Sequence, residues 1–337
     1  MKDVSLLRMI DELRFVYHPW RNSNTLPPGV AREIIGGLIE GYRFMEARSI
    51  NQVLEYIKLH FDKRAISNFG LWFRGQVDFS HGLIPSIFRQ GKTFGNVKYN
   101  EMAMYREFLL LRESQNKGKL SAFEWLTLMQ HYNLPTRLLD WTSNFLVALF
   151  FAIQNNNVDG ALYVLDPISF NEKSDFVSGR SMYDYLNTQV IIRANLAKIN
   201  TLKDFLNLPE IKNILKDISH NIKVANNSIT NSLELDDAWC QRTIQTPIAV
   251  FPAQQNDRLF LQHGKFTIHG GKIVDGDTVV DIIPIESIAA DSLIKIKIPF
   301  DAKESIEEEL FYCGINEATI FPELEYQSNQ IKRKWSK

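Results

Sequence analysis

The stretch His131-Tyr-Asn-Leu-Pro-Thr-Arg-Leu-Leu-Asp-Trp-Thr-Ser-Asn-Phe-Leu-Val-Ala-Leu-Phe-Phe-Ala152 decides how this chain folds. It opens at the end of one helical segment and closes inside another. Pro135 disfavours helix in the residue before it, so Asn133-Leu134-Pro135-Thr136 ends the first helix. Arg137 to Thr142 reads as a short strand or turn. Ser143 then caps a second helix that reaches about Gln154. From Phe145 to Ile153 that helix is apolar on every side, which marks it as buried in a core. It is about half the ~18–20 apolar residues of a membrane span, so no membrane partner is expected.

Upstream, Ser121-Ala-Phe-Glu124 is a capping-box pattern that opens the helix through Tyr132. Asn100 to Gln115 reads as a long helix with Met104, Phe108 and Leu111 inward. His81 to Arg89 reads as a loop. Leu71-Trp-Phe-Arg-Gly75 reads as a buried strand ending in a glycine turn. Ser49 caps a helix whose Ile50, Val53, Leu54 and Ile57 share one face. Residues 1–48 form a helical extension, with helices from Val4 and from about Val30 to Arg48 around an Asn22–Gly29 breaker. It is a candidate surface for a protein partner.

Downstream, Ala161–Leu165 is a strand between Asp159-Gly160 and Asp166-Pro167. Residues 168–245 read as a polar, helix-rich insert. Strands follow at Ile248–Phe251, Lys265–His269 and Leu293–Ile298, the last with period-two alternation. Asp257 to Gly264 reads as a helical turn closed by its glycine. A helix over Lys303–Cys313 ends at Gly314, and residues 327–337 form a basic tail, read as frayed. The expected fold is α+β: a small mixed or antiparallel sheet surrounded by helices, with the main domain over 49–326.

Composition narrows the function classes. The chain has 337 residues, 38 Lys+Arg and 39 Asp+Glu, a net charge of −1. A strongly basic nucleic-acid binder would look different, though a local basic cleft is allowed. Two distant cysteines, Cys240 and Cys313, make neither a zinc cluster nor a disulfide framework. No apolar leader follows Met1, so a cytoplasmic location is expected. No P-loop, GxGxxG, HExxH or GxSxG pattern occurs. No metal is expected.

Three motifs could carry chemistry. In Phe73-Arg74-Gly75, Arg74 offers a planar fork for a phosphate, carboxylate or ribose hydroxyl. Gly75 lets a ligand or another backbone come close. The bland alternative is an arginine paired to a core carboxylate. In the second motif, the Pro135 break can turn His131 back toward Arg137 and Asp140. Such a knot could orient a base or neutralise an anion; equally, it could tie helix to strand. The third runs from Arg258 through Gln262 to His269, where Gln262 can grip a base edge or an amide.

In this order the motifs resemble the FRG domain family, named for its Phe/Tyr-Arg-Gly tripeptide. The resemblance runs over about residues 50–326, including Arg258-Leu-Phe-Leu-Gln-His-Gly-Lys-Phe266 and Leu310–Leu324. A more distant likeness is to arginine-class ADP-ribosyltransferases, which hold NAD with an Arg, a Ser-Thr-Ser strand and a late Glu. That likeness implies that Arg74 grips the NAD phosphate or ribose. Asp140, Trp141 and Thr142 would line the nicotinamide pocket, with Trp141 stacking, and Gln262 would stand where the Glu normally does. Glutamine cannot supply that negative charge, so Asp140 is the candidate to supply it.

The expected catalytic set is Arg74, His131, Arg137, Asp140 and Gln262, lining one concave site. The expected ligand-binding set is Phe73, Gly75, Trp141, Thr142, Ser143, Arg258 and Phe266. Three functions follow: an NAD-using enzyme or effector in bacterial or phage conflict, a non-catalytic module for a nucleotide or anion, or a nucleic-acid-processing enzyme with His131 and Asp140 as acid and base.

Overall fold

A computed structural model describes residues 45–61, 70–89, 99, 101–112, 120, 122–155, 157–173, 203, 207, 246–250, 257–270, 272–274, 278–280, 282–289 and 292–336. The expected helices before residue 45, the Ser121 cap and most of the 168–245 insert lie outside them.

The strands are β1 (Trp72–Gln76), β2 (Leu138–Thr142), β3 (Gly160–Leu165), β4 (Ile248–Val250), β5 (Gly264–Ile268), β6 (Lys272–Val274), β7 (Thr278–Val280) and β8 (Leu293–Ile298). Six of them form one antiparallel sheet in the order β4-β5-β2-β1-β3-β8, and β6 pairs with β7 separately. The helices are α1 (Ile50–His60), α2 (Glu101–Arg112), α3 (Ala122–His131), α4 (Phe145–Ala152), α5 (Pro167–Lys173), α6 (Asp257–Leu261), α7 (Ile285–Ile288), α8 (Lys303–Tyr312), α9 (Glu317–Ile320) and α10 (Leu324–Trp335). The fold is α+β.

Strand side chains alternate between faces, and the register decides who shares one. Phe73 opposes Thr142, Asp140 opposes Phe266, and Leu138 opposes Ile268. All lie on one face, which two separate apolar clusters cover. Phe73, Leu162, Val164 and Ile296 pack with α4, α1 and α8. Leu138, Phe266, Ile268 and Val250 pack with Phe108 of α2 and Phe123, Leu126 and Met129 of α3. On the other face, Trp72, Leu139, Trp141 and Tyr163 bury against Leu83, Phe170 and Ile285.

The helix α4 lies on β1 and β3 at glycines. A Cβ on Gly75 would sit 1.9 Å from the Ala148 carbonyl oxygen, and one on Gly160 would sit 2.3 Å from that of Ala152. Gly75 therefore serves backbone-to-backbone packing. Asn133, with φ 61, takes the left-handed position that ends α3.

Several local expectations are corrected. Asn144, not Ser143, caps α4, accepting from the Leu146 amide. Ser143 donates its own amide to the His263 carbonyl, prolonging the β2–β5 pairing by one residue. The left-handed residue before β5 is His263, φ 50, rather than Gly264. A Cβ on Gly264 would lie 2.1 Å from Leu259 Cδ1, so Leu259 packs into the space that the glycine leaves. Leu111 is 72% exposed, because α2 turns Met104, Tyr105, Phe108 and Leu109 inward instead. Residues 45–47 are extended, not helical: Glu46 bridges to Lys297, which seats Met45 and Ala47 in the core. The insert's first residues also join the core, since Phe170 is buried and Asn171 bonds both polar atoms of the Ala249 backbone. Residues 324–335 form helix α10 in place of a frayed tail.

Candidate functional site

Strands β1 and β3 pair along their whole length, from Trp72 with Leu165 to Gln76 with Ala161. Between β1 and β2 the register holds at Phe73 with Thr142 alone. The sheet opens there, between the two apolar clusters of its covered face. The opening is a cleft of about 520 Å³, a size that suits a small-molecule ligand.

Arg74 occupies the parting. Its Nη1 donates to the Asp140 carbonyl at 2.6 Å and lies 3.9 Å from Asp140 Oδ2. Its Nε is buried with no hydrogen-bond partner among the described residues. Burial pulls the Arg74 pKa down to about 10, with Asp140 opposing the shift and Arg89 adding to it. The group stays cationic at neutral pH but is poorly compensated, the electrostatic condition under which an arriving anion is favoured.

Asp140 is the carboxylate of the cleft. Its side chain is 63% exposed. Gln130 Nε2 donates to Asp140 Oδ1 at 2.5 Å. Thr136 holds Gln130 in turn: its hydroxyl accepts from the Leu138 amide and donates to Gln130 Oε1. This chain of bonds fixes the amide with its N–H toward Asp140. Gln262 closes the cleft from the loop before β5, with its Nε2 3.5 Å from the Ile320 carbonyl.

Of the expected catalytic set, Arg74, His131, Asp140 and Gln262 line the cleft. Arg137 does not. It is 1% exposed, and its Nε and Nη2 grip the Glu101 carboxylate while Nη1 lies 3.4 Å from the His269 carbonyl. A guanidinium so buried requires a carboxylate, and Glu101 opens α2 directly above it. Arg137 ties α2 to the sheet.

Phe73, Gly75, Thr142 and Phe266 lie on the cleft wall. Trp141 reaches it but cannot stack on a ligand as a free ring: it is 3% exposed and donates its indole N–H to the Thr267 hydroxyl. Ser143 is not among the lining residues. Arg258 belongs to α6, and its side chain lies outside the described residues.

The sequence reading missed Gln130, Arg89, Thr136 and Glu101. Gln130 was open to notice, standing beside His131 at the Pro135 break. Glu101 lies 36 positions before Arg137, and nothing local pairs them. His269 is also buried beside Arg137. Its Nε2 meets the Thr267 hydroxyl at 3.1 Å, and its Nδ1 has no partner among the described residues. Burial, helped by Arg74 and Arg137, lowers its pKa to about 3, so it is neutral. No group of His, Cys, Asp and Glu suited to a metal occurs among the described residues. No described helix is long and apolar enough to cross a membrane.

Residues 70–160 match the FRG domain family. The chain carries an FRG domain. The match is narrower than the 50–326 expected, and it spans β1, α2, α3, β2 and α4 with the opening between β1 and β2. Within the FRG domain lie Arg74, Arg89, Gln130, His131 and Asp140; Leu259, Gln262 and Phe266 join the cleft from beyond it. No curated protein and no solved structure matches the chain.

Proposed function

We propose that this FRG-domain chain is an NAD-using enzyme of the ADP-ribosyl-transferring kind, working in the cleft between β1 and β2. The observation that carries it is the under-compensated Arg74 guanidinium beside the exposed Asp140 carboxylate, both facing one nucleotide-sized cleft. Arg74 grips a phosphate or ribose oxygen. The bond from nicotinamide nitrogen to ribose breaks, and nicotinamide leaves with the electron pair. Asp140 faces the positive charge that develops on the ribose, and a water or acceptor nucleophile adds there and loses its proton. Gln130 holds Asp140, and Gln262 positions the substrate. A role as an effector in bacterial or phage conflict accompanies this activity.

The test is nicotinamide release from NAD by the purified chain. Arg74→Ala and Asp140→Asn should each lower it at least about a hundredfold, the usual loss for one transition-state contact. An Arg74→Ala protein with undiminished release ends the proposal. A second reading, a non-catalytic nucleotide or anion module, is favoured by the glutamine at 262 and the absence of a glutamate among the lining residues. Its signature is Arg74-dependent NAD binding by calorimetry without release.

A further inference from the structure

The loop from Val77 to Arg89 is pinned at many points. Lys295 Nζ donates to the Phe79 carbonyl at 2.6 Å and Tyr163 to the His81 carbonyl at 2.9 Å. Gln76 Nε2 donates to the Gly82 carbonyl at 3.0 Å, and the Leu83 amide to Glu286 at 3.0 Å. Ser86 exchanges two hydrogen bonds with the backbone of Thr136, which also accepts from the Ile87 amide. A short 3₁₀ turn over Ser86–Phe88 follows, and Arg89 stands just after it, on the rim of the cleft that holds Arg74.

Arg89 is exposed, and its Nε donates to the Ile84 carbonyl at 2.8 Å. That bond sets the plane of the guanidinium. Neither terminal nitrogen has a hydrogen-bond or ion-pair partner among the described residues. An arginine kept for structure would spend its fork on carbonyls or a carboxylate, as Arg137 does on Glu101. Arg89 lines the same cleft as Arg74, and its charge disfavours that of Arg74. Two guanidiniums thus face one cleft against a single lining carboxylate, Asp140. Like charges held together on a rigid frame cost energy unless a ligand neutralises them. Arg74 is set into the parting and Arg89 stands exposed at the rim, so the cleft offers anionic oxygens an inner and an outer donor fork.

We infer that Arg74 and Arg89 together form a diphosphate subsite, with Arg89 the residue that selects a diphosphate-bearing ligand over a monophosphate. The inference rests on the cleft being the ligand site of the proposed function and names which group of the ligand is read there. The ligand chemistry is the diphosphate group, whether free or carried by a nucleoside diphosphate or a dinucleotide.

The experiment is calorimetry on the full chain with inorganic pyrophosphate, ADP, AMP and adenosine, comparing the parent with Arg89→Ala. The expected result is that pyrophosphate and ADP bind about tenfold or more weakly to Arg89→Ala, while AMP changes little and adenosine not at all. ADP binding tighter than pyrophosphate places the whole nucleotide in the cleft; the reverse order makes the free diphosphate the ligand, and either supports the subsite. Equal pyrophosphate binding by parent and variant overturns it, as does a parent that binds neither pyrophosphate nor ADP. A variant that weakens all four ligands alike also overturns it, since Arg89 would then only shape the loop. Nicotinamide release is measured alongside. Its absence with Arg89-dependent pyrophosphate binding intact removes the NAD-cleaving proposal and leaves the subsite standing.

Discussion

Replacing Gly75 by alanine should unfold this protein more easily than any change of similar size on its surface. The added Cβ would sit 1.9 Å from the Ala148 carbonyl oxygen and 2.6 Å from the Ala152 amide nitrogen. Both neighbours are backbone, so no rotamer change relieves the clash. Helix α4 would have to retreat by more than about 1 Å from a close-packed interface. That helix buries Val147, Ala148, Leu149, Phe150 and Ala152, so the retreat loosens a whole cluster. Overpacking costs about 1–3 kcal/mol when side chains can yield, and the upper end or more applies here. With a urea dependence of about 3 kcal/mol per molar, the unfolding midpoint should fall by about 1 M. Gly82→Ala is the control, because its nearest neighbours are side-chain atoms at 3.8 Å. It should stay within about 0.5 kcal/mol of the parent. Urea unfolding followed by circular dichroism measures both. A Gly75→Ala protein with the parent's midpoint would refute the close packing of α4 on β1.

Glu101→Ala should cost about 3–5 kcal/mol in urea unfolding by stranding the buried Arg137 charge, and pairing it with Arg137→Met should recover much of that. A loss under about 1 kcal/mol would show the pair to be dispensable. His269 is held neutral in the fold with a pKa of about 3 against 6.5 when exposed. Its stabilising contribution is complete above pH 6.5 and is lost as pH falls toward 3, at about 1.4 kcal/mol per pH unit. Between pH 7 and pH 5 the parent should lose about 2 kcal/mol more than His269→Gln; parallel pH dependences would contradict this. Gln130→Leu should lower nicotinamide release about tenfold while calorimetry finds NAD binding within about threefold of the parent, since Arg74 keeps its donors. Unchanged release would mean that Asp140 needs no partner to hold it.

The sequence by itself determined much of the succession of elements, though not β6, β7, α7, α9 or α10. The apolar run from Phe145, the break at Asn133-Leu134-Pro135 and the alternation over Leu293–Ile298 are local patterns, and local patterns dictate local structure. It also pointed to Arg74, by its guanidinium fork before a glycine, and to Asp140, by the polar cluster around the Pro135 break. Its errors at element ends, Ser143 against Asn144 and Gly264 against His263, arose because neighbouring strands set those boundaries. Only the tertiary structure decided which arginine belongs to the cleft. Arg74 and Arg137 look alike in sequence, one within β1 and the other just before β2. Arg137 meets a carboxylate from α2, and Arg74 stands where β1 and β2 part, with its Nε unsatisfied. Arg89 reaches the same cleft because Ser86, three residues before it, bonds Thr136 across 50 positions of chain, and Gln130 is held toward Asp140 by the same Thr136. Partner choice of this kind depends on the strand order and on which helix covers which strand. Both are long-range results of packing, and no window of neighbouring residues contains them.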